Sequence, residues 1–567
     1  MTTPCRITVD AAHTTGALDH AWRYIGYDEC NYTYTPEGKE LLAKFSALPD
    51  APYYVRTHFM FCNGSCHGTQ KFGSSNIYRE DADGNAIYNF TYYDLILDTI
   101  LATGNKPFVE LGFMPEPLAD PSYKDQPELG GVNHYREVGW TYPPADYAKW
   151  HDFIGTVARH LADRYGGDEI ATWYFELWNE PDIFYWHGTD EEYCMLFDYT
   201  EHALHEALPD ARLSGPACTG IFLHNGSRTL MKTFLTHCRE GLNACTGKTG
   251  TRLDFITFHA KGSWLPGNDT AAKSVPSVGS LVHQTELALD VIKEEGFADR
   301  EVVISEADPD GWAAGGIADN PNMRFRNTEY YASYVAATYT RLHDLCVRRG
   351  MTVRPLAWAF MFPQEECFSG TRTFSTQGID KPVMNLFRML AQLDDTTIAM
   401  KSNAEVDPSI DRTLIDDFDE AAPTRYTGEG AQTVIAGLAT QDTKDGDTVH
   451  VLLYSHCDDI DVHETHDIDV QINGLQPGRY QLTHQRIDHD YSNAHTRWLI
   501  EGSPKYPTGD QYEAIKQAGT LHDFTPTQVA VAPSSNADST DTSAESGITL
   551  QFTMPTHAVS LLTFTRL

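Results

Sequence analysis

Between about Ala21 and Gln392, short apolar runs alternate with longer amphipathic stretches, and this alternation constrains the fold more than any other feature of the chain. "PYYVRTHF" (52–59), "KPFVELGFM" (106–114), "ATWYFELWNE" (171–180), "ARLSGPA" (211–217), "LDFITFHA" (253–260), "EVVISEA" (301–307) and "RPLAWAFMF" (354–362) read as strands. Each is rich in β-branched or aromatic residues and closes on a polar, Gly or Pro signal. Helix-like segments lie between them. In "PADYAKWHDFIGTVARHLADRYG" (144–166), Pro144 is expected near the start and Gly166 just past the end. "EYYASYVAATYTRLHDLCVRRG" (329–350) gains bases in its last turn and stops at Gly350. A βαβα order of this length requires a parallel sheet, and seven or eight strands imply a closed (β/α)₈ TIM barrel with insertions. An open doubly wound sheet would carry a Gly-rich loop after an early strand, and the sequence has none.

After about Asp411 the texture changes. "TVIAGLATQ", "DTVHVLLYSH", "DIDVQINGL", "GRYQLTHQRID", "GITLQFTM" and "AVSLLTFTRL" alternate at close spacing with turn signals, the pattern of an antiparallel β-sandwich. "RITVDA" (6–11) is an isolated strand expected to pair into that sandwich. The α/β chain thus divides into an N-terminal strand within 1–20, a (β/α)₈ barrel over 21–400 and a C-terminal β-sandwich over 401–567. The Ser/Asp/Thr-rich stretch 532–547 reads as a loop.

With 79 acids against 42 bases, the formal net charge is −37. Such a surface repels nucleic acid and anionic membranes and suits neutral ligands. "MTTPCRITVDAAHTTG" has no apolar core of signal-peptide length, and no apolar run approaches the length of a membrane span. Eleven cysteines, an odd number scattered through a long chain, read as reduced thiols. The expectation is a cytoplasmic protein with no membrane or nucleic-acid partner; a homo-oligomer is compatible with it.

In such a barrel, chemistry sits at the C-terminal ends of the strands. Polar residues gather there from distant segments: Arg56 and His58, Glu110, Asn179 and Glu180, His259 and Lys261, Glu306 and Asp308, then Trp358, Glu365 and Glu366. Two strand-end carboxylates are what retaining glycoside hydrolysis needs, one protonated to release the leaving oxygen and one ionised to attack the anomeric carbon. Glu180 lies among Trp173 and Trp178, low-polarity surroundings that suit an acid. Glu306 comes within a strand end's reach of Arg56 and His259, cationic donors that suit a nucleophile. Either Glu alone reads as a solvated strand-end carboxylate; the pair, with Asn179 and Pro181 adjoining one member, reads as a site. No cofactor or metal is called for. "CNGSCHG" (62–68) offers two cysteines with His58 and His67 near, but no second matched pair follows downstream, so it reads as a rim loop with free thiols.

"FELWNEPD" (175–182), "VRTH" (55–58), "LDFITFHAKG" (253–262) and "SEADPDGW" (305–312) resemble glycoside hydrolase family 39, which holds β-xylosidases and α-L-iduronidases. The resemblance covers roughly residues 20–400. It implies a retaining exo-glycosidase with Glu180 as acid/base and Glu306 as nucleophile, supported by Asn179, Arg56, His58 and His259. "LDFITFHAKG" and "SEADPDGW" resemble the iduronidase branch, where Lys261 and the chain at Gly311 and Trp312 help hold a uronate; Arg372 would be a second cationic contact. "PFVELGFMPEPLA" (107–119) and "PQEEC" (363–367) resemble the β-xylosidase branch, where Glu365 or Glu366 would bind sugar hydroxyls. The reading that follows is an exo-glycosidase that takes a terminal β-D-xylosyl or α-L-arabinosyl residue from plant-derived oligosaccharides. An iduronidase-like uronidase and a non-catalytic carbohydrate-binding barrel are the alternatives, and the latter would be expected to lack one of the two glutamates.

Overall fold

The computed structural model describes residues 4–28, 30–62, 75–125, 139–222, 225–263, 270–311, 316–361, 364–370, 372–405, 426–442, 446–532 and 547–567. Trp312, the Cys66–His67 end of "CNGSCHG" and most of the stretch 532–547 lie outside them.

Eight parallel strands close a barrel: Tyr24–Tyr27, Tyr54–Thr57, Lys106–Leu111, Tyr174–Leu177, Leu213–Cys218, Phe255–Lys261, Glu301–Asp308 and Val353–Trp358. Seven correspond to the apolar runs. The remaining one, "YIGY", is the first barrel strand, too short to show alternation and broken by Gly26. That glycine is required: a Cβ there would lie 2.2 Å from the ring of Trp358, on the strand that closes the barrel against it.

Strand alternation sorts the barrel interior into layers. Tyr24, Phe108, Tyr174, Phe255, Val303 and Leu356 form one apolar cluster, with Tyr54 packed against it. Two residues further along their strands come Arg56, Glu110 and Glu176, all fully buried. The barrel is thus filled by aromatic groups below and charged groups above.

The helix Tyr147–Tyr165 is capped by Asp146, whose carboxylate accepts from the Ala148 amide at 2.8 Å. Pro144, expected near the helix start, belongs to the approach before the cap. Gly166 ends that helix at φ +82°, and Gly350 ends Glu329–Arg349 at φ +63° in the left-handed region.

The second unit is a ten-stranded sheet. The strand Cys5–Ala17 lies between Thr396–Ser402, antiparallel to it, and Thr465–Asn473, parallel to it. One parallel pair therefore interrupts the expected antiparallel order. After the barrel, the chain re-enters this sheet with Thr396–Ser402, which runs across residue 400. Its two faces do different work. Val449, Val451, Leu453, Leu562 and Phe564 face the sheet's own core. Leu452, Tyr454, Val559 and Leu561 join the barrel's core instead.

Candidate active site

Arg56 organises the charged layer. Its Nε donates to Glu176 at 2.6 Å, one terminal nitrogen to Asn179 Oδ1 at 2.9 Å, and the other to Glu306 Oε1 at 3.3 Å. Glu110 Oε2 lies 3.3 Å from the same guanidinium and 3.5 Å from His58 Nδ1. Burial, reinforced by Glu176, Glu306 and Asp28 and opposed by Arg56, pushes Glu110 well above the usual carboxylate range. Burial likewise pushes His58 well below the usual imidazole value, with Arg56 adding to the effect. Burial thus favours the uncharged form of each. Arg56→Leu should leave Glu176 buried without its cation and cost about 3–5 kcal/mol of stability, the typical penalty for breaking a buried pair. Chemical denaturation of the two proteins checks this, and a loss below about 1 kcal/mol, within the range of surface pairs, would sink the claim.

Glu180 and Glu306 face each other above this layer. One ring nitrogen of His259 and one carboxylate oxygen from each glutamate all lie within 4.8 Å of one another. His259 Nδ1 stands 2.8 Å from Glu180 Oε1 and 3.6 Å from Glu306 Oε2. The strand register sets this up: Glu306 pairs opposite His259 only because of an irregularity between Ile304 and Glu306. On the other side, Trp178 and Glu180 sit at φ +69° and +48°, and the Glu180 amide donates to the Ala217 carbonyl at 2.9 Å. Non-glycine residues in this region carry strain of order 1 kcal/mol or more, and such strain concentrates where side-chain direction matters. Burial alone would raise Glu306, but His259, Lys261, Arg56 and Arg372 together outweigh it and hold the carboxyl well below its usual range.

Lys261 donates to Glu306 Oε2 at 2.6 Å and to Asp308 Oδ2 at 3.2 Å. Arg372 donates to Asp28 Oδ2 at 3.3 Å and stands 3.7 Å from Asp308. Asp28 is pushed up to about 6, by burial first, with Glu306 adding to it and Arg372 opposing. The side chains of Glu180, Glu306, Asp28 and Arg372 are 12%, 8%, 13% and 11% exposed, whereas Arg56, Glu110 and Glu176 are sealed. The first four can touch a bound molecule; the sealed three can only support it.

Of the residues singled out from sequence, Arg56, His58, Glu110, Asn179, Glu180, His259, Lys261, Glu306 and Trp358 come together, with Trp358 under the Arg56 and Arg372 guanidiniums at 5.7 and 5.6 Å. Trp312 is outside the described residues. The structure does not bring Glu366 to this cluster: it accepts from Lys505 at 2.9 Å on the surface. Glu365 turns toward Gly370, where a Cβ would meet its Oε1 at 2.0 Å. Sequence reasoning missed Glu176 and Asp28. Glu176 follows Tyr174 by two and so shares its inward face, a signal hidden inside an apolar run. Asp28 was lost with the unread strand it follows.

Two facing carboxylates at the mouth of a parallel barrel, one flanked by fixed cations, are the equipment for breaking glycosidic bonds and define the class as the carboxylate-pair barrel hydrolases. Within that class the model for glycosyl hydrolases family 39 matches residues 5–532, and the chain belongs to that family. A β-xylosidase of Caldicellulosiruptor saccharolyticus is 28% identical over 472 residues, 80% of this chain and 81% of the relative. Human α-L-iduronidase is 25% identical over 550 residues, 91% of this chain and 73% of the relative. A solved bacterial orthologue of human α-L-iduronidase superposes with a TM-score of 0.74 at 21% identity, over 100% of this chain and 84% of the other. A monomeric β-xylosidase from Caulobacter crescentus CB15 gives 0.72 at 21%, over 99% of each chain. The two structures share the barrel-plus-sheet fold. Among the described residues, no helix is long and apolar enough to cross a membrane.

Proposed function

We propose that the protein is a retaining exo-glycosidase that removes a terminal pentosyl residue, β-D-xylosyl or α-L-arabinosyl, from plant-derived oligosaccharides. The observation that carries this reading is the closeness of Glu180 and Glu306, each offering an oxygen within 4.8 Å of the other's. Retaining enzymes hold their carboxyls about 5–5.5 Å apart, and inverting enzymes about 6.5–9.5 Å to admit a water. Glu306 attacks the anomeric carbon while Glu180 gives its proton to the leaving oxygen. The glycosyl ester then forms as the glycosidic C–O bond breaks. Glu180, now ionised, takes a proton from water, the water attacks, and Glu306 departs as a carboxylate. Arg56 and Lys261 stabilise that restored charge. His259 Nδ1, 2.8 Å from Glu180, holds that carboxyl beside Glu306. Proton NMR of the first-formed sugar tests the stereochemistry; an inverted anomer would overturn the assignment of Glu306.

Charge supports a neutral sugar. Asp28, Glu110, Glu176, Glu180, Glu306 and Asp308 crowd around Arg56, Lys261 and Arg372, and each cation already faces two or more carboxylates. A uronate would add an anion to a site whose cations are matched. The β-xylosidase relative points the same way. A uronidase is the second reading, favoured by one observation: Glu366, which would have repelled a uronate, pairs with Lys505 instead. Cys5, Cys194, Cys218, Cys238, Cys245, Cys346, Cys367 and Cys457 carry free thiols, in keeping with a cytoplasmic enzyme acting on imported fragments.

Lys261→Ala separates the two sugars. On pentosides it should lower kcat/KM and move the acid limb of the pH profile upward. With Lys261 gone, the Glu306 pKa rises, so less of it is ionised at a given acidic pH. If a uronate is the true ligand, its carboxylate is left unpaired, and iduronide kcat/KM falls by about 2–5 kcal/mol, roughly 30- to several-thousand-fold, with pentosides spared. Comparing aryl β-xyloside, α-L-arabinofuranoside and iduronide decides it, and a variant crippled only on iduronide would overturn the pentosyl reading.

A further inference from the structure

His151, His202, Glu206 and Cys245 converge outside the barrel strands, on the surrounding helices. His202 and Glu206 stand four residues apart on the helix Asp190–Ala207 and so share one face. His151 comes from the adjacent helix Tyr147–Tyr165, and Cys245 from the turn after the helix Gly226–Glu240. His151 Nε2 lies 2.8 Å from His202 Nδ1. Glu206 Oε2 lies 3.7 Å from the first nitrogen and 3.9 Å from the second. A ring nitrogen of each histidine and the Cys245 sulfur all lie within 4.8 Å of one another. The turn that carries the cysteine is fixed from beneath. Asp198, itself fully buried, accepts from the Ala244 amide at 2.7 Å, and Asn243 accepts from the Cys245 amide at 3.0 Å.

We propose that these four side chains form a structural zinc site that ties the two helices to the turn. Two imidazoles, a thiolate and a carboxylate make a donor set that a tetrahedral, borderline-soft d¹⁰ ion prefers to calcium or magnesium. Donors about 2.0–2.3 Å from zinc on a tetrahedron stand about 3.3–3.7 Å apart. Glu206, at 3.7 and 3.9 Å from the two nitrogens, has to move in by a few tenths of an ångström, and the two imidazoles, hydrogen-bonded at 2.8 Å without metal, need to part by about half an ångström. On binding, the Cys245 thiol gives its proton to solvent, and each imidazole keeps its proton on the nitrogen turned away from the ion. Burial, then Asp198, Glu206 and Glu201, raise the Cys245 thiol above its ordinary value. The same negative surroundings that disfavour a lone thiolate favour a dication. The Glu180–His259–Glu306 cluster also has ligand spacing. There, however, Lys261 and Arg56 already occupy Glu306 and repel a cation.

The test uses the full chain stripped with EDTA and titrated calorimetrically with zinc chloride. One tight equivalent is expected, and cobalt in its place should show a thiolate-to-metal charge-transfer band. A Cys245→Ser/His202→Ala double variant should lose the band and bind zinc at least about 10- to 100-fold more weakly, the range that losing even an outer partner of a ligand costs. Zinc should raise the melting temperature of the parent and not of the variant, and the variant's aryl-glycoside turnover should be unchanged. Three results would overturn the proposal: no tight zinc, leaving His151 and His202 as a plain imidazole pair; an equivalent that survives in the double variant; or one that disappears from Glu306→Gln instead.

Discussion

Glu306→Ala should abolish turnover for every leaving group, by roughly 10⁵-fold or more, as is typical when a nucleophile is removed. The loss should be independent of leaving-group acidity, because without this carboxylate no glycosyl ester forms, however easily the aglycone departs. The fold should survive. Lys261 keeps Asp308 at 3.2 Å, and Arg56 keeps Glu176 at 2.6 Å, so neither cation is left alone. Unfolding curves for the variant should therefore stay near the parent's while activity vanishes. A small anion such as azide offers a second readout. It can enter the space left by the carboxylate and displace the aglycone in one step, so the product from an activated aryl glycoside should have inverted configuration. A variant that kept more than about one part in 10³ of its activity, the scale left when general acid–base help alone is lost, would show that Glu306 is not the attacking group.

The barrel was legible because a parallel strand buried on both faces must be an apolar run, and seven such runs stood clear of the helices between them. The unread one, Tyr24–Tyr27, shows the limit. Four residues with a central glycine carry no periodicity, and the reason for that glycine, the approach of the Trp358 ring, is a contact across 332 positions of sequence. Asp28 was hidden by the same cause. Glu180 and Glu306 were legible because strand ends are where a barrel presents polar groups. Glu176 was not, because it lies within an apolar run and only the pairing with Arg56 reveals a charged layer inside the barrel. "PQEEC" misled for the opposite reason. Its acids follow the last barrel strand, but Glu365 lies against Gly370 and Glu366 pairs with Lys505, and spacing along the sequence does not record where those side chains go.

Glu180→Ala should separate leaving groups that Glu306→Ala treats alike. A dinitrophenyl glycoside departs as a stable anion and needs no proton, so its first chemical step should be nearly as fast as in the parent. An alkyl glycoside or an oligosaccharide leaves as a basic alkoxide and should slow by about 10²–10⁴-fold, the usual contribution of a positioned acid. The second step should suffer for every substrate, because in the proposed mechanism Glu180 also takes the proton from the attacking water. With an activated substrate the ester therefore accumulates, giving a burst followed by slow turnover and a lowered KM. Azide needs no base, so it should restore steady-state turnover, and the glycosyl azide should keep the substrate's anomeric configuration because it arises by two displacements. That is the opposite of the product expected from Glu306→Ala. The distinction rests on where His259 stands: its Nδ1 is 2.8 Å from Glu180 and 3.6 Å from Glu306. Removing Glu180 leaves His259, Lys261 and Arg56 around Glu306, and the nucleophile stays ionised. If azide instead gave the inverted product with Glu180→Ala, or if both variants declined equally across leaving groups, the two roles would have to be exchanged or abandoned.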